Sequence, residues 1–291
     1  MLYVLLALVG FAYALPLVWM ASTSIKPADE ALSQSVGLLP RMKDAEHPEG
    51  RSAVDPSYWP AVGEQVEKNY QDVLDSPVAD FQLYIHNSMV VATLSVIGMV
   101  LSSAIVAYGF SRIRWRGRDA TFVVVLATMM IPFTVIMMPQ YLLFKHLGWI
   151  GSLRPLWVPA WFSGGFSIFL LRQFFMGIPR ELDEAARLDG CSHPRIFWHI
   201  ILPLARPALA VVGLLQFIAT WNDFASPLVF INHEEKYTAA LGLQMFQSQH
   251  SGVPWNQVMA ASVMVIAPVL IVFLLAQRAL IRGVATQGLK E

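Results

Sequence analysis

Residues 179–203 read PRELDEAARLDGCSHPRIFWHIILP. Two short helices are written into this stretch. Pro179 suits a first helical turn, and Glu181, Asp183 and Glu184 follow where the positive end of the helix dipole favours acids. Gly190 can supply the left-handed residue that ends the helix. Leu182, Ala185 and Ala186 fall at i, i+3 and i+4 and form one small, smooth face, while Asp183 and Arg187 are spaced to pair on another. Ser192 can cap a second helix, with Pro194 in its first turn and Ile196 and Ile200 on a shared stripe, before Leu202 and Pro203 end it. Small side chains let another protein's surface approach the backbone closely, so the first helix is suited to docking.

The chain around this loop is apolar. Of 291 residues, 56% are hydrophobic and 14% charged, against about 25% charged in a soluble domain. A hydrocarbon core about 30 Å thick needs roughly 20 apolar helical residues. Six such stretches are expected: 2–21, 87–110, the run from Asp119 to Lys145, 150–171, 207–230 and 258–276. The expected fold is all-α, a polytopic membrane protein with six transmembrane helices. Residues 1–21 form the first, 22–86 an external polar segment, 87–281 a five-helix core with the loop 173–206, and 282–291 a cytoplasmic tail.

Orientation follows from basic residues, which concentrate on the cytoplasmic side of short loops. Arg112, Arg114, Arg116 and Arg118 crowd the link after the second span. Arg172, Arg180, Arg187, Arg195 and Arg206 lie between the fourth and fifth, and Arg278, Arg282 and Lys290 close the chain. The stretch 22–85, with eleven acids against five basic residues, is then outside, and both termini are inside. The first span competes with a reading as a cleaved signal peptide, but it has no basic region before it and a longer apolar run, which favours a retained helix. Pro132, Pro139, Pro159, Gly164, Gly165 and Pro227 interrupt several spans, where kinks and close contacts are expected.

Twenty Lys and Arg balance twenty Asp and Glu, so no global field points to nucleic acid. A single cysteine, Cys191, rules out an intrachain disulfide. There is no G-x-x-x-x-G-K-[ST] phosphate loop, no H-E-x-x-H, no Cys-x-x-Cys and no G-x-S-x-G, and the seven histidines are scattered. Neither ATP hydrolysis, a metal nor a cofactor is expected of this chain. Trp221, Asn222 and Asp223 lie inside the fifth span, where polar groups are costly unless they face protein or a wet cavity. They are either part of a solute pathway, the indole covering a sugar ring and the polar groups bonding its hydroxyls, or an interhelical hydrogen bond that fixes packing.

Glu184-Ala185-Ala186, three residues, Gly190, nine residues, then Ile200, one residue, Leu202 and Pro203 resembles the cytoplasmic signature loop of binding-protein-dependent ABC importer permeases at all seven positions. Ser24-Ile25-Lys26, Ala107-Tyr108, Phe169-Leu170-Leu171-Arg172, Trp221-Asn222-Asp223-Phe224 and Gln277-Arg278, in this order, are similar to the sugar-type permeases related to the smaller maltose and glycerol-phosphate subunits. The resemblance implies a multi-pass protein of a bacterial or archaeal plasma (inner) membrane. It implies that the first loop helix is a coupling helix, with Leu182, Glu184, Ala185, Ala186, Gly190, Ile200, Leu202 and Pro203 at the docking site. It further implies two ATP-binding subunits, a second permease subunit in a heterodimer, and an external solute-binding protein. Gln244, Gln247 and Gln249, in the outer loop expected before the sixth span, either meet such a protein or belong to a merely solvated loop. The insertion 32–63 is longer and more polar than the resemblance accounts for. Two alternatives remain: the same kind of permease for an amino acid, peptide or phosphate, and an ion-coupled secondary transporter relying on Asp223.

Overall fold

The computed structural model describes residues 2–31, 37–43, 47–248 and 254–285, of which 278–285 by backbone alone. Gln249, the tail beyond Ala285 and parts of the insertion lie outside these. Among the described residues the chain is helical and without strands. It divides into two compact units, Met1–Ile85 with Thr238–Pro268 and His86–Tyr237 with Val269–Glu291.

Among the described residues three continuous helices are long and apolar enough to cross a membrane: α1 (Leu2–Ser24), α3 (Phe81–Ser111) and the Trp255–Gln277 part of α12 (Trp255–Ala285). α1 is apolar on every side and exposed along nearly its whole length, as suits a helix solvated by lipid rather than by a protein core. In its unit, α2 (Tyr58–Leu74) buries Tyr58, Val62, Asn69 and Val73 on one stripe. Asn69 is the hub. Its amide donates to the carbonyls of Ser24 (2.8 Å) and Lys26 (2.9 Å), and its oxygen accepts from Gln65 (2.8 Å) and Asn256 (2.9 Å). One buried amide thus satisfies the backbone where α1 ends and fixes the start of α12. α11 (Ala239–Ser248) packs Phe246 edge-on against Phe81, 5.1 Å between centroids.

In the second unit, three of the expected spans are broken. The third is two helices, α4 (Arg118–Thr128) and α5 (Phe133–His146), bent by 95°. Pro132 disfavours helix at the residue before it and has no N–H to continue the ladder. The expected fourth span is a four-residue turn Arg154–Trp157, a 3₁₀ turn Val158–Phe162, and then α6 (Gly165–Gly177). The break is at Ser163, with φ 72°, and the extended Gly164. The fifth is α9 (Arg206–Trp221) and α10 (Ala225–Phe230), separated at 222–224. Among the described residues three helices, or up to five segments when each bent pair is taken as one, have the length and apolarity of a span. Pro132 and Gly164 mark breaks as expected, whereas Pro139 sits inside α5 without one.

The main core cluster of this unit is built from three helices and the loop. α3 contributes Ala104, Ala107 and Tyr108, α6 Leu171 and Phe175, and α9 Ala208 and Val212, at helical spacing on each. The alanines let the helix backbones approach. Ala186, Ile196, Phe197 and Ile201 of the loop join the same cluster, so the loop is continuous with the core of the spans.

Candidate functional site

The loop is two helices, α7 (Glu181–Leu188) and α8 (His193–Leu204). α7 closes in a two-bond turn. The Cys191 N–H donates to the carbonyl of Ala186 (2.8 Å) and the Gly190 N–H to that of Arg187 (2.9 Å). Gly190 has φ +80°, the left-handed conformation this turn demands and side chains resist. Ser192 holds the N-cap position of α8, but its side chain makes no capping bond. Within α8, Phe197–Ile201 is a π turn. The wider turn puts Ile196 and Ile201, both fully buried, on one stripe, and leaves Ile200 half-buried beside it; the expected Ile196/Ile200 stripe is shifted by one residue. α8 also runs past Pro203 to Leu204 before the chain bends 77° into α9.

The inner side of α7 is fastened by a charge. Asp183 is buried and pairs through Oδ2 with Nη1 of Arg112 at 3.1 Å, side-chain exposures being 9% and 2%. The expected Asp183–Arg187 pair does not form, because Arg112 reaches Asp183 from the end of α3. Nη2 of Arg112 donates to the carbonyls of Phe175 and, at 2.8 Å, Ile178, which satisfies the Ile178 carbonyl just past the end of α6 and adds a second donor to that of Phe175, which also accepts the Ile178 N–H (3.2 Å). One guanidinium therefore joins α3, α6 and α7 out of water. Such a pair holds only because both partners are present; removing one leaves a charge stranded in low dielectric.

A second tie runs from Tyr108 to the start of α8. Its hydroxyl lies 3.1 Å from Nδ1 and 3.3 Å from the carbonyl oxygen of His193, while Arg187 is 3.4 Å from Nε2. One assignment satisfies all three: Arg187 donates to Nε2, Nδ1–H donates to the hydroxyl, and the hydroxyl donates to the carbonyl. The Tyr108 ring also packs on Phe197, 5.1 Å between centroids.

The outer side of α7 is free of such ties. Leu182, Glu184, Ala185 and Leu188 are exposed, Leu188 by 90%. The arrangement is a short helix tied to the ends of α3 and α6 on one side and bare on the other, with no group of three or more His, Cys, Asp or Glu among the described residues that could hold a metal.

Residues 97–286 match the family described as binding-protein-dependent transport system inner membrane components. The chain belongs to this family. The permease is 36% identical over 225 residues, 77% of its own length and 81% of the other's, to the trehalose/maltose transport system permease protein MalG of Thermococcus litoralis. It is 36% identical over 206 residues, 70% and 73% of the two lengths, to the sn-glycerol-3-phosphate transport system permease protein UgpE of Yersinia enterocolitica. Among solved structures it resembles a chain of a bacterial ABC transporter involved in import of the acidic polysaccharide alginate, with 26% identity, TM-score 0.76 and 95% and 94% of the two chains covered. As an ABC permease it is a transport subunit, and ATP hydrolysis falls to a separate one.

The structure sorts the permease's sequence-predicted residues. Leu182, Glu184 and Ala185 share the exposed side of α7, Ala186 faces inward, and Gly190 makes the turn. Ile200 and Leu202 pack partly into the core, and Pro203 is exposed. Trp221, Asn222 and Asp223 fall at the break after α9. Trp221 is 1% exposed and stacks on Phe217 at 5.4 Å, so its indole supports the break from beneath. Asn222 is exposed and bonds the Ile218 carbonyl (3.0 Å); the Asp223 carboxylate accepts the Ser226 N–H (3.0 Å). Sequence reasoning missed Arg112, Tyr108 and His193. The available signal was Asp183, an acid off the docking face that needs a cation if buried.

Proposed function

We propose that the permease carries a sugar or polyol through the membrane, and that α7 seats in a separate ATP-binding subunit and passes its motion to the spans. One observation carries this reading: the buried side of α7 is locked to α3 and α6 through Arg112 and Asp183, while Leu182, Ala185 and Leu188 stand bare on the other. A push on the bare side must displace three helix ends together, which is what a coupling element requires. Leu182, Glu184, Ala185, Ala186, Gly190, Ile200, Leu202 and Pro203 are the proposed docking set, the first three by contact and the others by holding shape.

The names of the trehalose/maltose, glycerol-phosphate and alginate relatives support the sugar class. The working assembly is two ATP-binding subunits, this permease with a second, related one, and an external solute-binding protein. Both termini lie in the cytoplasm. The broken segments 118–146, 154–177 and 206–230 cross as discontinuous spans, a form tolerated at membrane depth where backbone is buried in protein or lines a cavity. The break at Trp221, Asn222 and Asp223 lies on the solute path, with Asn222 and Asp223 presenting polar groups. Loaded binding protein outside and ATP-driven closure inside each favour the outward-facing bundle, and hydrolysis releases it.

The test is Leu182→Glu and Ala185→Glu, read by co-purification of the ATP-binding subunit and by ATP-dependent uptake of a panel of sugars. Both residues are exposed, so the permease's own unfolding temperature should hold while assembly and uptake fall. Undiminished co-purification in both variants sinks the docking reading.

A further inference from the structure

Arg114 and Arg180 are exposed, and their side chains have no hydrogen bond or ion pair among the described residues. With Trp115, Gly117, Arg118 and Asp119 they line a hollow of about 460 Å³. The lining holds three guanidinium groups against one carboxylate, and that carboxylate is already engaged. Asp119 takes Nε of Arg118 at 3.0 Å and lies 3.8 Å from Arg172. Positive charge is therefore left over where two free guanidinium forks meet, the geometry suited to the paired oxygens of a phosphate.

The level of the hollow in the fold narrows the ligand. α3 ends at Ser111 and α4 begins at Arg118. Thirty-one residues of α3 span about 46 Å, more than a hydrocarbon core of about 30 Å, and the link 112–117 that follows carries Arg112, Arg114 and Arg116, charges that are costly within the hydrocarbon and favoured at the cytoplasmic surface. Trp115 is placed as interfacial tryptophans are. Its ring leans on Phe110 (5.8 Å), its Nε1 lies 3.4 Å from the Gly109 carbonyl, and it is still 43% exposed. Gly117, at φ +85°, turns the chain into α4, which begins without a side-chain cap. The positive end of the α4 dipole adds to the arginines.

We propose that this hollow binds the phosphate of an anionic phospholipid headgroup, held by Arg114 and Arg180 with Trp115 at the depth of the glycerol. Arg180 is the residue that leads into α7, so a lipid there ties the loop to the membrane surface. The inference goes beyond the docking reading; it depends on the hollow lying at the bilayer surface and stands whether or not α7 couples to an ATPase.

The purified transporter is titrated with phosphatidylglycerol, with phosphatidylcholine and with inorganic phosphate, and retained lipid is counted by native mass spectrometry alongside the unfolding temperature. Phosphatidylglycerol should be retained and should raise the unfolding temperature. The Arg114→Gln/Arg180→Gln double variant should weaken its binding on the order of tenfold while phosphatidylcholine retention stays unchanged. Arg116→Gln, outside the lining, should alter neither. Each single variant gives a smaller loss in the same direction and serves if the double variant misfolds. Unchanged phosphatidylglycerol binding, an equal loss of phosphatidylcholine, or inorganic phosphate matching the lipid's effect overturns the proposal. So does loss of the ATP-binding subunit with lipid retention intact, which would give these arginines to a protein contact.

Discussion

Arg112 and Asp183 are 71 residues apart in sequence and meet at 3.1 Å with both side chains out of water. The two partners are not equivalent, because Arg112 also serves the carbonyls of Phe175 and Ile178, whereas the Asp183 carboxylate serves Arg112 alone among the described residues. Either Arg112→Gln or Asp183→Asn strands a buried charge, at about 3–5 kcal/mol, and Arg112→Gln should cost about 1–2 kcal/mol more, because it also loses the two carbonyl bonds. Chemical unfolding of the solubilised permease measures both. Equal losses would mean that the carbonyl bonds contribute nothing.

Gly190 separates backbone strain from crowding. A Cβ built there meets nothing within 4 Å, so only the φ of +80° opposes a side chain. Gly190→Ala should cost about 1–2 kcal/mol, and Gly190→Asn less, since asparagine tolerates the left-handed region. Uptake should fall in that same order. An alanine variant as stable as wild type would show that the turn relaxes.

How far the sequence alone reaches is clear from these two sites. The α7 stop was legible because its cause is local: a glycine after a run of helix formers, acids in the first turn. Arg112 was not, because an arginine in an Arg-rich link reads as a charge held in the cytoplasm, and burial against Asp183 depends on α3, α6 and α7 converging. Hydropathy located the apolar segments but averages across a break; Ser163, or the pair Asn222 and Asp223, interrupts a helix while leaving the mean over a span-length window apolar. The shift from Ile200 to Ile201 followed from a π turn that a 3.6-residue template does not contain.

Gly98 gives a test of packing between α3 and the 3₁₀ turn. A Cβ there would lie 2.4 Å from Cδ1 of Trp161 and 2.6 Å from Cγ, near the root of the indole, so the whole ring and not just its far edge must shift. Gly98→Ala should destabilise by about 1–3 kcal/mol through overpacking. Trp161→Ala in the same chain should relieve most of that loss, which a double-mutant cycle of unfolding free energies reads directly. Additive effects would place the clash elsewhere.

Asp223 decides between two ways of driving transport. Its Oδ1 accepts the Ser226 N–H at 3.0 Å where α10 begins, the work of a helix cap, which needs an acceptor and not a charge. Asp223→Asn keeps that acceptor, so uptake should stay within about twofold of wild type, whereas Asp223→Ala should lose about 1 kcal/mol of stability. An ion-coupled carrier makes the opposite demand, because an intramembrane carboxylate that binds a proton or cation does so through its charge. Measured side by side in proteoliposomes, with ATP supplied and then with only an ion gradient, the asparagine variant should transport in the first condition and not in the second. If it folds normally yet fails with ATP present, the carboxylate's charge has a part in moving the solute, and the cap is incidental to it.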